Sequence, residues 1–486
     1  MSLTSALNIA QTALFNTSRQ TTVVSRNVSE ASNPDYAHRS ALLSSMGPGA
    51  RVVQIRRAAD EVLFRQNLFA ISAWQGQKAM SGGLDTMRLT VNGVDDANAP
   101  ATAISKLQEA LQLYAATPSN TTLAESAVQA AKQVVRSLND GARSVQNFRA
   151  DADRDIATAV EDLNYLLGEF ETVNTEIVNG TRSGRDVSDA LDRRGALLKK
   201  ISEYVAISTT TRSGNDMVIV TADGATLFET IPRPVTFTPN TSYGPGTTGN
   251  SVYVDGVPLV PGVGGNTSAK GSIAAALQLR DETALQMQRQ LDEVARGLIT
   301  AFAETDPSAT QPDIAGLFTW AGGPGIPPAG TLIDGLAGAI RINTAFDKSA
   351  GGNPSLLRDG GANGAAYLHN TSGAASYSDL LLAYSQRLDE PMAFDPLAGL
   401  DTNRSVTAFS FDSVGWLEAS RKEAASGAEG KEALAVRTAT ALSNATGVNV
   451  DNEMALLLDL ENAYEASARL ISIIDEMLST LMQATR

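Results

Sequence analysis

Residue types that commonly carry catalysis are scarce in this chain. It contains no cysteine and two histidines, His38 and His369, which are far apart and have no acidic residues beside them at metal-ligand spacing. Because the H-E-x-x-H pattern is missing, the sequence excludes a zinc protease of that type. The missing cysteine excludes a thiol nucleophile and a zinc ribbon. We therefore predict no catalytic residue, no metal ligand and no cofactor.

One glycine-rich stretch invites comparison with a phosphate-binding loop. In residues 265–272, Lys270 precedes Gly271, whereas that loop needs glycine followed by lysine. The stretch also follows a predicted β-hairpin instead of a buried parallel strand. A turn that leads into a helix is the better interpretation. No Gly-x-Ser-x-Gly elbow is present, and the sequence predicts a protein that is not an enzyme.

Composition argues against two further classes of protein. The 486 residues carry a net charge of −15 with a pI near 4.7, so a nucleic-acid backbone would be repelled. No apolar run reaches the roughly 20 residues that cross a bilayer, and no basic cluster could anchor the chain on a membrane surface. The first basic residue is Arg19, so we expect no cleaved Sec-type signal peptide. Composition by itself favours a cytoplasmic protein.

Both ends of the chain carry a helical seam, that is, apolar or small residues at alternating spacings of four and three. The amino-terminal seam consists of Leu3, Leu7, Ala10, Leu14, Thr17, Thr21, Val24 and Val28. The carboxyl-terminal seam consists of Leu457, Leu460, Tyr464, Ser467, Ile471, Ile474, Leu478 and Leu481. Such heptads are typical of helices that pack side by side, over about 40 Å at 1.5 Å per residue.

The charges of the two ends favour their antiparallel pairing. Residues 1–65 hold seven arginines against four acidic residues, for +3, whereas residues 446–486 hold seven acidic residues against two arginines, for −5. Periodicity alone also fits an ordinary helix hairpin within one chain. Since the amino-terminal seam is rich in Ala, Thr and Val, its burial yields little. We expect both ends of a free subunit to be disordered until neighbouring subunits cover them.

We predict a mainly α fold with an inserted β domain. Both termini form a nested helical-hairpin coiled-coil core, and a small β-rich outer domain lies farthest from the ends. The expected parts are a terminal assembly domain of residues 1–40 and 446–486, a second helical layer of 41–204, 271–304 and 405–445, and the β-rich domain of 205–270.

Turn signals support the β-rich assignment, and composition marks one further region. Asp223-Gly224 and Asp255-Gly256 each follow a β-branched run, which predicts two-residue hairpin turns. Residues 305–404 are rich in glycine and proline and have weak periodicity. We expect an irregular region there with short helices, an outer subdomain being one interpretation.

The amino-terminal seam ends in a motif that resembles a known family. Residues 27–39 resemble the N-I-A-N-x-x-T-P-G-Y-x-R signature of flagellar rod, hook and hook-associated axial proteins, with matches at Asn27, Pro34, Tyr36 and Arg39. The departures from the signature are Glu30, Asn33 and Asp35. At the last of these the family has glycine, which permits positive φ, and aspartate tolerates that region better than most residues.

Two more stretches carry the same resemblance. Residues 447–455, 464–466 and 475–478 are similar to the carboxyl-terminal motif of the family. Residues 186–201 resemble the N-D-L-L-D-Q-R-D-x-L-L-x-x-L stretch of its hook-associated members, with Gly195 in place of the second acid. The resemblance covers most of the chain and is thin over residues 305–404.

The resemblance implies a structural subunit at the junction between hook and filament. It implies self-association, contacts with the hook subunit and with a second junction protein, and an export chaperone on the carboxyl-terminal segment. It also implies type III export without a cleaved signal peptide, to an extracellular position on the flagellum. Another axial component, such as a hook or distal rod subunit, stays an alternative. A helical-scaffold hydrolase acting on cell wall is the alternative from another class.

Together, the seams and the motif predict one assembly surface. It comprises Leu3, Leu7, Leu14, Val24, Asn27, Val28, Pro34, Tyr36, Arg39, Leu457, Leu460, Tyr464, Ile471, Ile474, Leu478 and Leu481.

Overall fold

The computed structural model describes residues 3–45, 50–91, 93 and 99–484. The helices are α1 (Leu3–Ser29), α2 (Glu61–Thr90), α3 (Pro100–Ala116), α4 (Thr121–Arg182), α5 (Ser188–Tyr204), α6 (Ser272–Gln278), α7 (Ala284–Ala301), α8 (Leu336–Ala339), α9 (Leu356–Asp359), α10 (Asp379–Arg387), α11 (Val406–Thr446) and α12 (Val450–Ala484). The long helices make the chain mainly α, and α1 and α12 pack on each other. The predicted fold class is thereby confirmed.

The strands of the described residues form five small sheets, and every pairing in them is antiparallel. They are β1 (Arg39–Ser45), β2 (Ala50–Arg57), β3 (Ile207–Thr211), β4 (Met217–Thr221), β5 (Thr226–Phe228), β6 (Val235–Thr236), β7 (Tyr253–Val254), β8 (Val257–Pro258), β9 (Phe318–Thr319), β10 (Arg341–Ile342), β11 (Met392–Ala393) and β12 (Asn403–Arg404).

Helix α4 is the spine of the molecule. Its 62 residues extend over about 93 Å at 1.5 Å per residue. The side chain of Asn120 caps its first turn by accepting hydrogen bonds from the backbone N–H groups of Thr122 and Leu123, at 2.9 and 3.3 Å. Its apolar positions recur at helical spacing over the whole length, so successive parts of one helix cover different neighbours.

The amino-terminal half of α4 lies in the largest core. There it packs against α3 and α7, and α7 is buried on nearly all sides. Buried charges in this core are paired: Arg296 holds Glu293 at 2.8 Å and lies over the ring of Phe394. Where α6 meets α7 the helix makes a π-turn, and Arg280 of that turn contacts Asp153 of α4 at 2.5 Å.

The β insertion packs against the middle of α4. Its strands share a second core with Ile156, Leu163 and Phe170. The turn at Asp255-Gly256 joins β7 to β8 with two residues, both at positive φ, as the sequence predicts. The turn at Asp223-Gly224 differs, because Thr221 N donates to Ala225 O and three residues lie between them.

Residues 305–404 are irregular with short helices, yet they do not build a core of their own. Phe318, Phe346 and Tyr384 belong to the same core as α3, α4 and α7, which corrects the expectation of an outer subdomain. The sequence does not reveal this burial, because a backbone held by local hydrogen bonds instead of long helices or strands leaves no regular spacing of apolar residues. Glu304, for example, accepts bonds from the backbone N–H groups of Ala362 and Asn363.

The order of parts along α4 differs from the one expected. Lys132 and Asn139, near its beginning, contact Asp347 and Ala337 of the irregular region. Its last turns pack on α5, and Asp189 of α5 is bonded to the amino-terminal segment. The part farthest along α4 from the chain ends is therefore the irregular region, and the β insertion lies between them.

One element of the predicted helical layer is a β-hairpin. Strands β1 and β2 pair from Arg39↔Arg57 to Ser45↔Ala50, with Val53 as an extra residue where the register shifts. This segment lies within residues 41–204, which the sequence analysis assigns to the second helical layer, and here the structure has two strands. Charged and β-branched residues in β2 favour an extended strand on the surface.

Candidate assembly interface

The two ends of the chain form one antiparallel helix pair. Asn27, near the end of α1, contacts Glu453 at the start of α12, and Ser18 lies beside Tyr464 further along. A solvent-open groove of about 600 Å³ follows the pair between Thr21 and Leu457. The antiparallel orientation agrees with the opposite charges of the two ends.

The predicted assembly residues fall into three groups by burial. Buried are Val24, Asn27, Tyr36, Arg39, Leu460 and Ile474, and partly buried are Leu3, Leu7, Leu14, Val28, Leu457, Ile471 and Leu478. Pro34, Tyr464 and Leu481 are exposed. The structure brings most of both seams together along the pair. Whether these residues contact other subunits stays a prediction.

A polar cluster joins the pair where the two chain ends meet. Asn27 is 0% exposed, and its amide group donates to Glu453 Oε2 and to Arg39 O, both at 2.8 Å. Its Oδ1 accepts from the hydroxyl of Tyr36 at 2.8 Å and from Arg39 N at 3.2 Å. All four hydrogen-bonding positions of this amide are therefore used, which explains why no shorter or apolar side chain would serve.

Glu453 is the member of this cluster that sequence analysis did not single out. It is 5% exposed, and its second oxygen lies 2.9 Å from His38 Nε2. His38 N also donates to Thr446 O at 2.8 Å. The available signal was its place in the carboxyl-terminal motif, 426 residues away from Asn27. His369 lies elsewhere, 3.0 Å from the carbonyl oxygen of Thr305.

A network of ion pairs ties the amino-terminal segment to α5. Arg39 contacts Asp189 at 2.6 Å and Asp192 at 2.7 Å, and its guanidinium lies 4.6 Å from the ring centroid of Tyr36. Arg57 and Arg26 contact the same two carboxylates, each at 2.6 Å. The motif residues Tyr36 and Arg39 thus anchor the turn between α1 and the hairpin.

Burial and charge shift the pKa values in this network. Burial lowers the pKa of Arg39, but its hydrogen bonds to Asp192 and Asp189 outweigh that effect and raise the pKa overall. Burial opposes ionisation of Asp189, yet the hydrogen bonds from Arg26 and Arg39 hold its pKa below the usual range. Burial raises the pKa of the Tyr36 hydroxyl. The ion pair of Arg39 and Asp189 is therefore charged near neutral pH.

Hydrogen bonds to Asn33 hold the turn that follows α1. Helix α1 ends at Ser29, and Asn33 Oδ1 accepts from Asp35 N at 3.1 Å while Asn33 O accepts from Tyr36 N. Among described residues other than glycine, positive φ occurs at Asn215, Asp255 and Ala309. Because Asp35 is not one of them, aspartate replaces the family's glycine without strain.

Large apolar side chains on both helices of the pair face solvent. On α12 they include Leu458, Leu470, Ile473 and Met477, and on α1 Phe15 is 70% exposed. Only Glu453, Leu460 and Ile474 of the 35 residues of α12 are buried. Apolar surface of this extent is typical of a surface that binds another protein.

Within the described ranges, no three His, Cys, Asp or Glu side chains lie close enough together to hold a metal ion. No helix of the described ranges combines the length and the apolar character that crossing a bilayer needs.

Two family models match the chain. Residues 93–310, from before α3 to beyond α7, match the flagellar hook-associated protein FlgK helical domain. Residues 441–484, which comprise the end of α11 and all of α12, match the flagellar basal body rod FlgEFG protein C-terminal region.

Whole-chain comparisons agree with these matches. The flagellar hook-associated protein 1 of Bacillus subtilis is 22% identical over 485 aligned positions, which cover 90% of this chain and 86% of that protein. The structure of the flagellar hook junction protein FlgK from Burkholderia pseudomallei has a TM-score of 0.57 at 11% identity. It covers 78% of this chain and 99% of that one, and this likeness is one of fold.

Paired chain ends and family matches at both α4 and α12 make the chain similar to axial proteins of the bacterial flagellum. Within that class, it is similar to flagellar hook-associated proteins.

Proposed function

We propose that this chain is a structural subunit of the bacterial flagellum at the junction between hook and filament, without enzymatic activity. It acts by packing its terminal helices against those of neighbouring subunits. The observation that carries this proposal is the outward apolar surface of α12, on a helix pair formed by both chain ends. Covering that surface requires other chains, since the rest of this chain leaves it open.

The partners follow from the same proposal. Further copies of the chain, the hook subunit and a second junction protein lie around the terminal helices in the assembled state. Before export, a chaperone covers the acidic and apolar carboxyl-terminal segment. The chain leaves the cell through the flagellar export apparatus without a cleaved signal peptide and resides on the extracellular flagellum.

Truncation tests the role of the ends. Removing residues 1–40 or 446–486 is expected to leave a folded body that no longer joins hook to filament. The readouts are circular dichroism of the purified chain and electron microscopy of flagella from cells that carry the truncated form. Normal junctions with either truncation would contradict the proposal.

A second candidate is a hook or distal rod subunit, which the match of residues 441–484 to a rod and hook family model favours. Immunogold labelling separates the two. Label at the distal end of the hook supports a junction subunit, whereas label along the whole hook or on the rod supports the alternative.

A further inference from the structure

The β-hairpin presents an apolar and basic surface to solvent. We name Leu42, Val53, Arg51 and Arg56 the hairpin surface. Its two apolar side chains are 49% and 50% exposed, and both arginines are exposed. Residues 39–57 contain four arginines and no acidic residue. A two-stranded hairpin with apolar side chains in water is a surface that favours a further partner.

The hairpin is held on α1 in a defined orientation. Asn16 of α1 accepts a hydrogen bond from Val52 N at 3.1 Å and donates another to Ala50 O. Val52 is buried toward α1, and Val53, the extra residue of the bulge, is half-exposed. Helix α1 therefore contacts α12 along one side and the hairpin along another, and Leu42, Arg51 and Arg56 lie on the face of the hairpin opposite Val52.

Helix α12 carries a surface of opposite charge. We name Leu458, Leu470, Ile473, Met477, Asp459 and Glu476 the outer stripe, whose residues are all exposed. Leu470, Ile473 and Met477 follow one another at spacings of three and four residues, and Glu476 lies three residues after Ile473. These four residues therefore lie on one side of α12. Over residues 450–484 the helix has seven acidic residues and one arginine.

We propose that the hairpin surface of one subunit receives the outer stripe of α12 from a second copy of this chain. Both surfaces are apolar at the centre with charges beside it, and the charges are opposite in sign. Within one chain, α12 uses its seam for α1, so the hairpin and the outer stripe stay apart. The two surfaces differ, so each copy can offer one and receive the other, and the contact repeats from copy to copy.

This inference rests on the proposed function and specifies how neighbouring subunits meet. Opposite charges around an apolar centre fix the orientation of the contact and speed its formation. The contact is also continuous with the pair of α1 and α12, because the hairpin is bonded to α1. The terminal pair and the hairpin would then act as a single assembly unit.

Cysteine crosslinking tests the contact in assembled flagella, because the chain has no cysteine of its own. Flagella are isolated from cells whose only copy of the chain carries Val53→Cys with Ile473→Cys, and they are oxidised mildly. We expect a ladder of crosslinked multimers on a denaturing gel. The matched control carries Val53→Cys with Tyr165→Cys, where Tyr165 is exposed on α4, and is expected to stay monomeric.

Charge exchange is the second arm and decides the case if the cysteine variant is not incorporated. With both Arg51→Glu and Arg56→Glu, incorporation into flagella is expected to fall about tenfold or more, since like charges across an interface oppose association. Adding Asp459→Arg and Glu476→Arg in the same chain is expected to restore it. Absence of this rescue overturns the inference in that case.

The two proposals fail in different ways. If the unaltered chain does not reach the hook–filament junction, the proposed function is wrong. If it does, and an incorporated Val53→Cys, Ile473→Cys chain gives no ladder or stops at dimers, the inference alone is wrong.

Discussion

Helices α7 and α12 are both amphipathic, but the chain covers them very differently. Fourteen of the 18 residues of α7 are buried, including the charged Asp292, Glu293 and Arg296. Of the 35 residues of α12, three are buried. Residues of the same chain cover α7, whereas most of the apolar surface of α12 is left exposed in the single chain. The comparison teaches that stability and assembly reside in separate parts of this fold.

The free energy gained by burying apolar side chains has a different effect in the two regions. Burying a side chain such as Leu or Ile contributes roughly 1.5–3 kcal/mol. In the body of the molecule that contribution stabilises the monomer. On the outer side of α12 the same contribution becomes available only when another chain covers the helix. Four predictions test this division between the body and the terminal pair.

The largest effect is expected from breaking a buried ion pair in the body. Asp153 is 1% exposed and accepts from the fully buried Arg280, from the Tyr243 hydroxyl and from Asn240 N, so Asp153→Ala removes the acceptor of three donors at once and leaves Arg280 with Asp281 as its remaining carboxylate. The free energy of unfolding should fall by about 3–5 kcal/mol. Urea denaturation of the full chain measures it. The matched variant in the terminal pair is Glu465→Ala, which removes an exposed pair with Arg469 and should change stability by about 0–1 kcal/mol.

A leucine truncation gives the next largest contrast. Leu291→Ala in α7 opens a cavity in the main core and should lower the free energy of unfolding by about 2–5 kcal/mol. Leu458→Ala in α12 should change it by less than about 0.5 kcal/mol, because Leu458 is exposed in the single chain. Leu458→Ala should instead reduce incorporation into flagella. Equal destabilisation by the two changes would contradict the proposed division.

The polar cluster gives a local effect of intermediate size. Asn27→Ala leaves Glu453 Oε2 and the Tyr36 hydroxyl without their buried hydrogen-bond partner, at a cost of about 1–3 kcal/mol. We expect faster hydrogen exchange in α1 and in the first turns of α12, with α7 unchanged. Asn8→Ala, at an exposed position of the same helix, serves as the control. If exchange accelerates throughout the body, the pair and the body are not separable.

The effects of pH are gradual, and they have opposite signs in the two regions. The pKa of Asp189 is lowered in the folded chain, so its contribution is present above its usual value near 3.8 and is lost as pH falls through the lower folded value. Burial raises the pKa of Asp292 to about 7, so stability of the body decreases as pH rises from about 4 to 7. Hydrogen exchange of α1 and of α7, measured across pH with Asp189→Asn and Asp292→Asn as controls, checks both signs.

Order in the free terminal helices also stays a prediction. The structure gives α1 and α12 as helices packed on each other. We still expect both ends to be disordered in an isolated subunit, because few residues of the same chain cover them. Fast exchange in residues 3–29 and 450–484 over a protected body would support it, and protection of both ends would contradict it.

Periodic features of this fold could be predicted from sequence, because burial at regular spacing leaves a regular pattern. Val24, Leu460 and Ile474 lie at predicted seam positions and are buried. The hairpin of β1 and β2 was missed, although Gly47-Pro48-Gly49 in the sequence between two short apolar runs is a turn signal.

Contacts between distant residues could not be predicted in this way. The bond from Asn27 to Glu453 leaves no periodic trace, and the motif resemblance located Asn27 without its acidic partner. The structure of the irregular region could not be predicted either. Individual side chains such as Glu304 hold its backbone by hydrogen bonds, and such bonds leave no repeating pattern in the sequence. A residue that forms a hydrogen bond with one distant neighbour can be identified only from the three-dimensional structure.

The hydrogen bond between Asn27 and Glu453 also limits the order in which parts of the chain can fold. Its partners are 426 residues apart, so it cannot form until nearly the whole polypeptide has been made and released. Because contacts between distant residues form slowly, we expect the first and last segments to pair late in folding. Up to that moment both extremities stay available, which is the condition a growing structure needs from every piece added at its tip.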